Sequence, residues 1–64
     1  MSRHDYLRSR IMMSEDPTFA SLIMAAYRKA DTGNQTKLHQ MWPEIVDELQ
    51  ARYDAPGGYL EEDK

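Results

Sequence analysis

Apolar side chains recur at helical spacing in the middle of the chain. One helical face collects the apolar positions i, i+3, i+4, i+7 and i+8, which are Phe19, Leu22, Ile23, Ala26 and Tyr27. Just upstream, Ser14 or Asp16 is suited to cap a helix, and Pro17 fits a first helical turn. The pattern therefore predicts a helix over residues 17–30.

A second helical region follows after a short break. Gly33 is suited to a left-handed helix end and Asn34 to the cap of the next helix, which predicts a short helix over residues 35–41. Pro43 cannot continue that helix, because proline has no backbone N–H and its ring clashes with the preceding turn. We therefore expect a bend at Trp42 and Pro43, followed by a further helix to about residue 53.

The two ends of the chain carry weaker patterns. Leu7 and Ile11 are i, i+4 neighbours, so residues 2–13 form either a short amphipathic helix or a frayed arm. Residues 55–58, Ala-Pro-Gly-Gly, cannot continue a helix. They predict an extended C-terminal tail that ends in solvated charges.

The predicted architecture is all-α, a small helical hairpin or three-helix domain with a bend at Pro43 and an extended C-terminal tail. Its segments are an N-terminal arm or short helix (1–13), a helical domain (14–60) and a charged tail (61–64). The predicted core consists of Phe19, Leu22, Ile23, Tyr27, Leu38, Trp42, Ile45, Val46 and Leu49.

Chain length makes self-association the expected route to stability. A chain of 64 residues buries only about 60% of the surface that its unfolded form exposes. It has no cysteine for a disulfide, and its five methionines and four tyrosines exceed what one thin core encloses. We therefore expect a homodimer or a higher oligomer.

Charge is divided unevenly along the chain. Three arginines against one aspartate give residues 1–13 a net charge of +2, and five basic against ten acidic residues give residues 14–64 a net charge of −5. An acidic body disfavours duplex DNA, because affinity for phosphates comes from clustered lysine and arginine. No stretch approaches the roughly 20 apolar residues of a membrane span, and none fits a secretion signal, so we expect a cytoplasmic protein.

Candidate chemistry is sparse. His4 and His39 each lack a second ligand at i+3 or i+4, so we expect surface histidines, no metal site and no cofactor. Glu44, Asp47 and Glu48 share a helix face, as paired catalytic carboxylates or magnesium ligands do, but such a trio is more often a solvated face. No nucleophile motif or phosphate-binding loop is present. We therefore expect a protein that is not an enzyme.

Two alternative functions stay open. The two helices around residues 31–34 fit a helix-turn-helix nucleic-acid binder, whose recognition helix would present polar side chains to base edges, namely Gln35, Thr36, Lys37, His39 and Gln40. Lys37 is the only lysine or arginine on that helix, and this weakens the hypothesis. The second alternative is an oligomer that sequesters a small ligand.

Several short segments between Ala30 and Leu60 carry a resemblance to a known group. They are Ala-Asp-Thr-Gly-Asn (30–34), Lys-Leu (37–38), Trp-Pro-Glu (42–44), Glu-Leu-Gln-Ala-Arg-Tyr (48–53) and Ala-Pro-Gly-Gly (55–58). This half of the chain resembles short uncharacterised helical proteins encoded by tailed bacteriophages. The resemblance implies a phage or prophage context and the cytoplasm of a host cell, where small acidic helical proteins bind host or defence components.

The candidate partner-binding residues combine aromatic, apolar and acidic character. They are His39, Met41, Trp42, Glu44, Asp47, Glu48, Tyr59 and Leu60. The bend at Pro43 and the turn at residues 56–58 are expected to bring them onto one surface. An acidic rim around aromatic anchors predicts a partner protein with a basic surface. The alternative is a tail that only covers its own core.

Overall fold

The computed structural model describes residues 2–63 and is all-helical over that range, which confirms the predicted fold class. Four α-helices are followed by two short 3₁₀ turns. The elements are α1 (Arg3–Met13), α2 (Phe19–Lys29), α3 (Thr32–Met41), α4 (Pro43–Asp54) and the turns Pro56–Gly58 and Glu61–Asp63. For residues 2–13, the helical alternative is the correct one.

Side-chain caps define where the first three helices begin. The backbone N–H of Ser21 donates to Thr18 Oγ1 at 3.1 Å, so α2 begins at Phe19 and is capped by Thr18. The predicted caps Ser14 and Asp16 are wrong. The Ser14 hydroxyl instead donates to the carbonyl of Ile11 at the end of α1, at 2.6 Å. Asp16 lies in the left-handed region with φ 51°, which ends the turn after α1.

The break between α2 and α3 is shorter than predicted. Asp31 caps α3, because its Oδ1 accepts from the backbone N–H of Asn34 at 2.8 Å. Gly33 therefore lies in the first turn of α3 and does not end α2, and Asn34 is not the cap. The turn is made instead by two residues in extended conformation, Ala30 and Asp31.

The predicted bend at Pro43 is confirmed. Trp42 leaves the helical conformation, with φ −133° and ψ 62°, and Pro43 is the first residue of α4. The carbonyl of Trp42 accepts from the backbone N–H of Val46 at 3.1 Å. Trp42 therefore both ends α3 and precedes α4. Pro43 fits the first position of α4 because the backbone N–H that proline lacks has no partner within the helix there.

The tail is more folded than the predicted extended segment. Gly57 and Gly58 both have positive φ, at 64° and 74°, which glycine adopts without the strain that a Cβ imposes. The backbone N–H of Asp63 then donates to the carbonyl of Leu60 at 3.0 Å. The glycines turn the chain, and the last described residues form a second short turn.

The core is thin and lies between α2, α3 and α4, which pack on one another. Val46 is fully buried and Ile23 is 9% exposed. Six further predicted core residues are half-buried, namely Leu22, Tyr27, Leu38, Trp42, Ile45 and Leu49. The prediction for Phe19 is wrong, because this ring is 57% exposed. As the first residue of α2, it contacts the edge of Trp42 and leaves its outer side in solvent.

Tyr27 ties the three packed helices together through polar contacts. Gln35 Nε2 on α3 donates to the Tyr27 carbonyl at 3.1 Å, and Gln50 Nε2 on α4 donates to the Tyr27 hydroxyl at 3.2 Å. The bonded residues are 8 and 23 positions apart in the chain. These bonds hold α3 and α4 on α2, and they add to the limited apolar contact between the helices.

Replacing Val46 with alanine tests the position of the core. The substitution removes two fully buried carbons, so we expect it to destabilise the fold by about 2 kcal/mol. Tyr53→Ala is the matched control, since Tyr53 is also on α4 but is 78% exposed. It should change stability by no more than about 0.5 kcal/mol. Urea unfolding followed by circular dichroism measures both, and equal stability of the two variants would contradict this packing.

Candidate partner-binding surface

The predicted surface residues lie on the end of α3, on α4 and in the tail. Met41 is 68% exposed and Tyr59 is 72% exposed, whereas Trp42 and Leu60 are half-buried. The four polar residues of the set are exposed, namely His39, Glu44, Asp47 and Glu48. All of them are therefore reachable at least in part from solvent.

His39 and Asp47 meet across the bend at Pro43. His39 Nε2 lies 2.9 Å from Asp47 Oδ1, and the carboxylate oxygen accepts this hydrogen bond. The contact joins the last turn of α3 to the first half of α4. It holds the Asp47 carboxylate against the end of α3.

The bend also carries an apolar group that extends the predicted surface. Phe19 and Trp42 pack edge to face, with ring centroids 5.6 Å apart and an interplanar angle of 70°. Together with the exposed side chain of Met41, they form what we call the bend patch: Phe19, Met41 and Trp42. Sequence analysis assigned Phe19 to the core. Phe19 directly follows Thr18, a residue suited to cap a helix, and this position indicates the exposed first turn of α2.

Arg52 fastens the tail to α4. Its Nη1 donates to Asp63 Oδ2 at 2.6 Å and to the Gly58 carbonyl at 2.8 Å, and its Nη2 donates to Asp63 Oδ1 at 3.0 Å. Its Nε donates to Glu48 Oε2 at 3.0 Å. Asp63 Oδ2 also accepts from the backbone N–H of Leu60 at 3.0 Å. We call this network the tail clasp.

Sequence analysis did not identify Arg52 or Asp63. The i, i+4 spacing of Glu48 and Arg52 was a visible signal for one ion pair. The bond to Asp63 depends on how far the chain returns after the turn at Pro56–Gly58, and the local pattern that predicts the turn does not specify this partner.

The eight predicted residues fall into two groups along α4. Those near the start of α4 are His39, Met41, Trp42, Glu44 and Asp47. Glu48 lies in the middle of α4 and is joined through Arg52 to the tail, which carries Tyr59 and Leu60. A helix of 12 residues is about 18 Å long. The tail returns to α4, as predicted, but to its second half.

The tail clasp changes the acidity of its own groups. The Arg52 guanidinium and then the backbone N–H of Leu60 hydrogen-bond to the charged carboxylate, which lowers the pKa of Asp63 from 3.8 to about 2. The same carboxylate, followed by Glu48, raises the pKa of Arg52. The clasp is therefore charged on both sides at neutral pH.

Two residues of the acidic trio of α4 have hydrogen-bond partners within the fold. Asp47 bonds to His39 and Glu48 bonds to Arg52. Within residues 2–63, no three histidine or acidic side chains come together as metal ligands. In the same range, none of the helices has the length and apolar character needed to cross a bilayer.

The predicted recognition helix uses several of its polar side chains inside the fold. Gln35 is bonded to Tyr27, and the Thr36 hydroxyl donates to the Thr32 carbonyl at 3.0 Å. His39 is bonded to Asp47. These contacts do not favour direct contact of α3 with base edges.

Comparisons of the chain with protein-family models, curated proteins and solved structures found no significant match.

The tail clasp predicts a pH dependence of stability. Because the pKa of Asp63 is lowered on folding, its contribution is complete above pH 3.8 and is lost as the pH falls toward about 2. At pH 7 we expect wild type to be more stable than Asp63→Asn, and the difference to disappear near pH 2. Urea unfolding of both proteins across this range measures it. A difference independent of pH would contradict the clasp.

Proposed function

We propose that this chain is a small non-enzymatic binding protein, a phage-encoded accessory protein that acts in the host cytoplasm. Its partner is a host or defence protein with a basic surface. The observation that carries the proposal is the bend patch beside the acidic side chains of α4. Phe19 and Met41 are 57% and 68% exposed, next to Glu44 and Asp47.

The bend patch has the composition of an interface centre. Aromatic residues and methionine are enriched at protein interfaces, and a few of them supply most of the binding energy. Trp42 packs against the Phe19 ring and lies at the bend. Because the Trp42 side chain already has a packing partner, less of its conformational entropy is lost when a second protein covers it.

The acidic side chains set the charge of the partner. Glu44 and Asp47 lie within the first turns of α4, directly after Trp42. Residues 14–64 carry a net charge of −5, so the field around this surface attracts a basic protein and accelerates encounter at low salt. Lysine or arginine around an apolar centre is the complementary pattern.

The tail clasp extends the surface toward the far end of α4. Arg52 holds the tail so that Leu60 is half-buried while Tyr59 stays 72% exposed. The tail therefore covers part of its own domain and still presents an aromatic ring. A partner that follows α4 contacts the bend patch first and Tyr59 at the other end.

Charge reversal at the bend tests the proposal. We expect Glu44→Lys with Asp47→Lys to reduce capture of basic host proteins about tenfold at low salt. The matched control is Glu15→Lys with Asp54→Lys, which changes the net charge equally outside the proposed surface. Quantitative affinity purification from bacterial lysate measures capture of each.

A second pair of substitutions separates the two contributions. Phe19→Ala with Met41→Ala should weaken capture at every salt concentration, whereas the effect of charge reversal should fade as salt rises. If neither double variant differs from wild type, this surface is not the binding site.

A further inference from the structure

Helix α1 has no packing partner within its own chain. It packs against none of the other described helices, and none of its residues is buried. Four of its five large apolar side chains are more than half exposed, namely Tyr6 at 61%, Ile11 at 54%, Met12 at 52% and Met13 at 54%, and Leu7 is half-buried. Most of the apolar surface of this helix is therefore open to solvent.

An unsupported helix of this length is not stable in water. Helix α1 has 11 residues, and isolated helices shorter than about 12–15 residues are marginal even with the best helix formers. The side-chain hydrogen bonds of α1 are local, such as the bond from the Asp5 N–H to the Ser2 hydroxyl at 3.2 Å. Stable formation of α1 therefore requires packing against another surface.

The accessible surface of one chain is larger than that expected for a compact monomer, and the difference is large enough to form an interface. Its accessible area is 5522 Å², whereas a folded monomer of this mass exposes about 4250 Å². Its radius of gyration is 13.5 Å, against about 10.7 Å for a compact chain of this length. A specific interface buries about 800 Å² on each partner, which is within this excess.

One face of α1 carries positive charge, whereas the rest of the chain has a net negative charge. Arg3, Tyr6, Leu7 and Arg10 are spaced i, i+3, i+4 and i+7, so two arginines and two apolar side chains lie together. We call these four residues the arm face. Residues 1–13 carry a net charge of +2 and residues 14–64 a net charge of −5.

We propose that α1 is a docking arm that binds the bend patch and the adjacent Glu44 and Asp47 of a second copy of this chain. The exchange is reciprocal, so two arms and two acidic surfaces form a symmetric dimer. Tyr6 and Leu7 cover Met41 and Trp42, and the arginines pair with the carboxylates. The inference rests on the proposed function, since it assigns α1 of a second copy as a ligand of the same surface.

The segment between α1 and α2 favours docking of α1 on a second copy over packing of α1 against its own chain. The backbone N–H of Glu15 donates to the Met12 carbonyl at 3.3 Å, and that of Asp16 donates to the Met13 carbonyl at 3.0 Å. Pro17 then restricts the backbone before α2. These contacts form the turn after α1, and α1 does not pack back on α2, α3 or α4.

A protein surface fits the arm better than a lipid surface. On a membrane-bound helix the arginines lie at the edges of an apolar face, whereas Arg3 and Arg10 lie within the arm face beside Tyr6 and Leu7. Met13 lies beside Tyr6 at the border of that face, and Met12 lies on the opposite side of the helix. Arginines in the middle of an apolar face need carboxylates opposite them, and the bend supplies two.

A charge-exchange experiment tests the inference. The arm variant is Arg3→Glu with Arg10→Glu, and the surface variant is Glu44→Lys with Asp47→Lys. In sedimentation equilibrium at low salt we expect wild type to be a dimer and each variant alone to self-associate at least tenfold more weakly. Mixed in equal amounts, the two variants should form a dimer again, because each arm then faces a surface of opposite charge.

The controls keep the result interpretable. Arg28→Glu with Lys37→Glu changes the net charge as much as the arm variant does, and it should remain dimeric. A cooperative thermal melt followed by circular dichroism confirms for each protein that α2, α3 and α4 still pack together. A monomeric wild type, single variants that stay dimeric, or a mixture that stays monomeric would each overturn the exchange. Binding of wild type to anionic vesicles or duplex DNA in place of a dimer would do so as well.

The same proteins separate this inference from the proposed function. Capture of host proteins that depends on Glu44 and Asp47, without a dimer, supports the binding function and overturns the exchange. A dimer that follows the charge pattern, with capture independent of these residues, supports the exchange and overturns the external partner.

Discussion

The packing of α4 on both α2 and α3 is the contact on which the rest of the structure depends. Val46 is the residue that α4 buries completely, and Ile23 of α2 is the other buried apolar residue of residues 2–63. With so little apolar burial, polar bonds from Gln35 and Gln50 to Tyr27 also hold the three helices together. The bend at Pro43 makes this arrangement possible, since it ends α3 and starts α4 within one residue.

The parts of the fold that could be predicted are those that local chemistry decides. Proline has no backbone N–H, so Pro43 specified the bend, and the apolar spacing from Leu22 to Tyr27 specified α2. Helix starts were harder, because Ser14, Asp16 and Thr18 are all suitable caps within five positions. Only the structure shows that Asp16 has positive φ and that Thr18 is the cap.

The candidate surface could be predicted only in part, for a different reason. Residues close to the bend in sequence stay close in space, so Trp42, Glu44 and Asp47 were found together. Phe19 and Arg52 were missed as surface residues because their roles depend on partners distant in sequence. Phe19 meets Trp42 from another helix, and Arg52 meets Asp63 only after two glycines turn the chain.

A thin core and an exposed aromatic surface are two consequences of one constraint. In a short chain, each large apolar side chain that the interior cannot enclose must face solvent or another molecule. Here those side chains concentrate at the bend and on α1, where they lie among charges of opposite sign. The acidic surface at the bend attracts any basic apolar helix, whether it comes from a second copy or from a foreign protein. On the two proposals together, an external partner competes with α1 of a second copy for this surface, so its apparent affinity falls as the concentration of this chain rises.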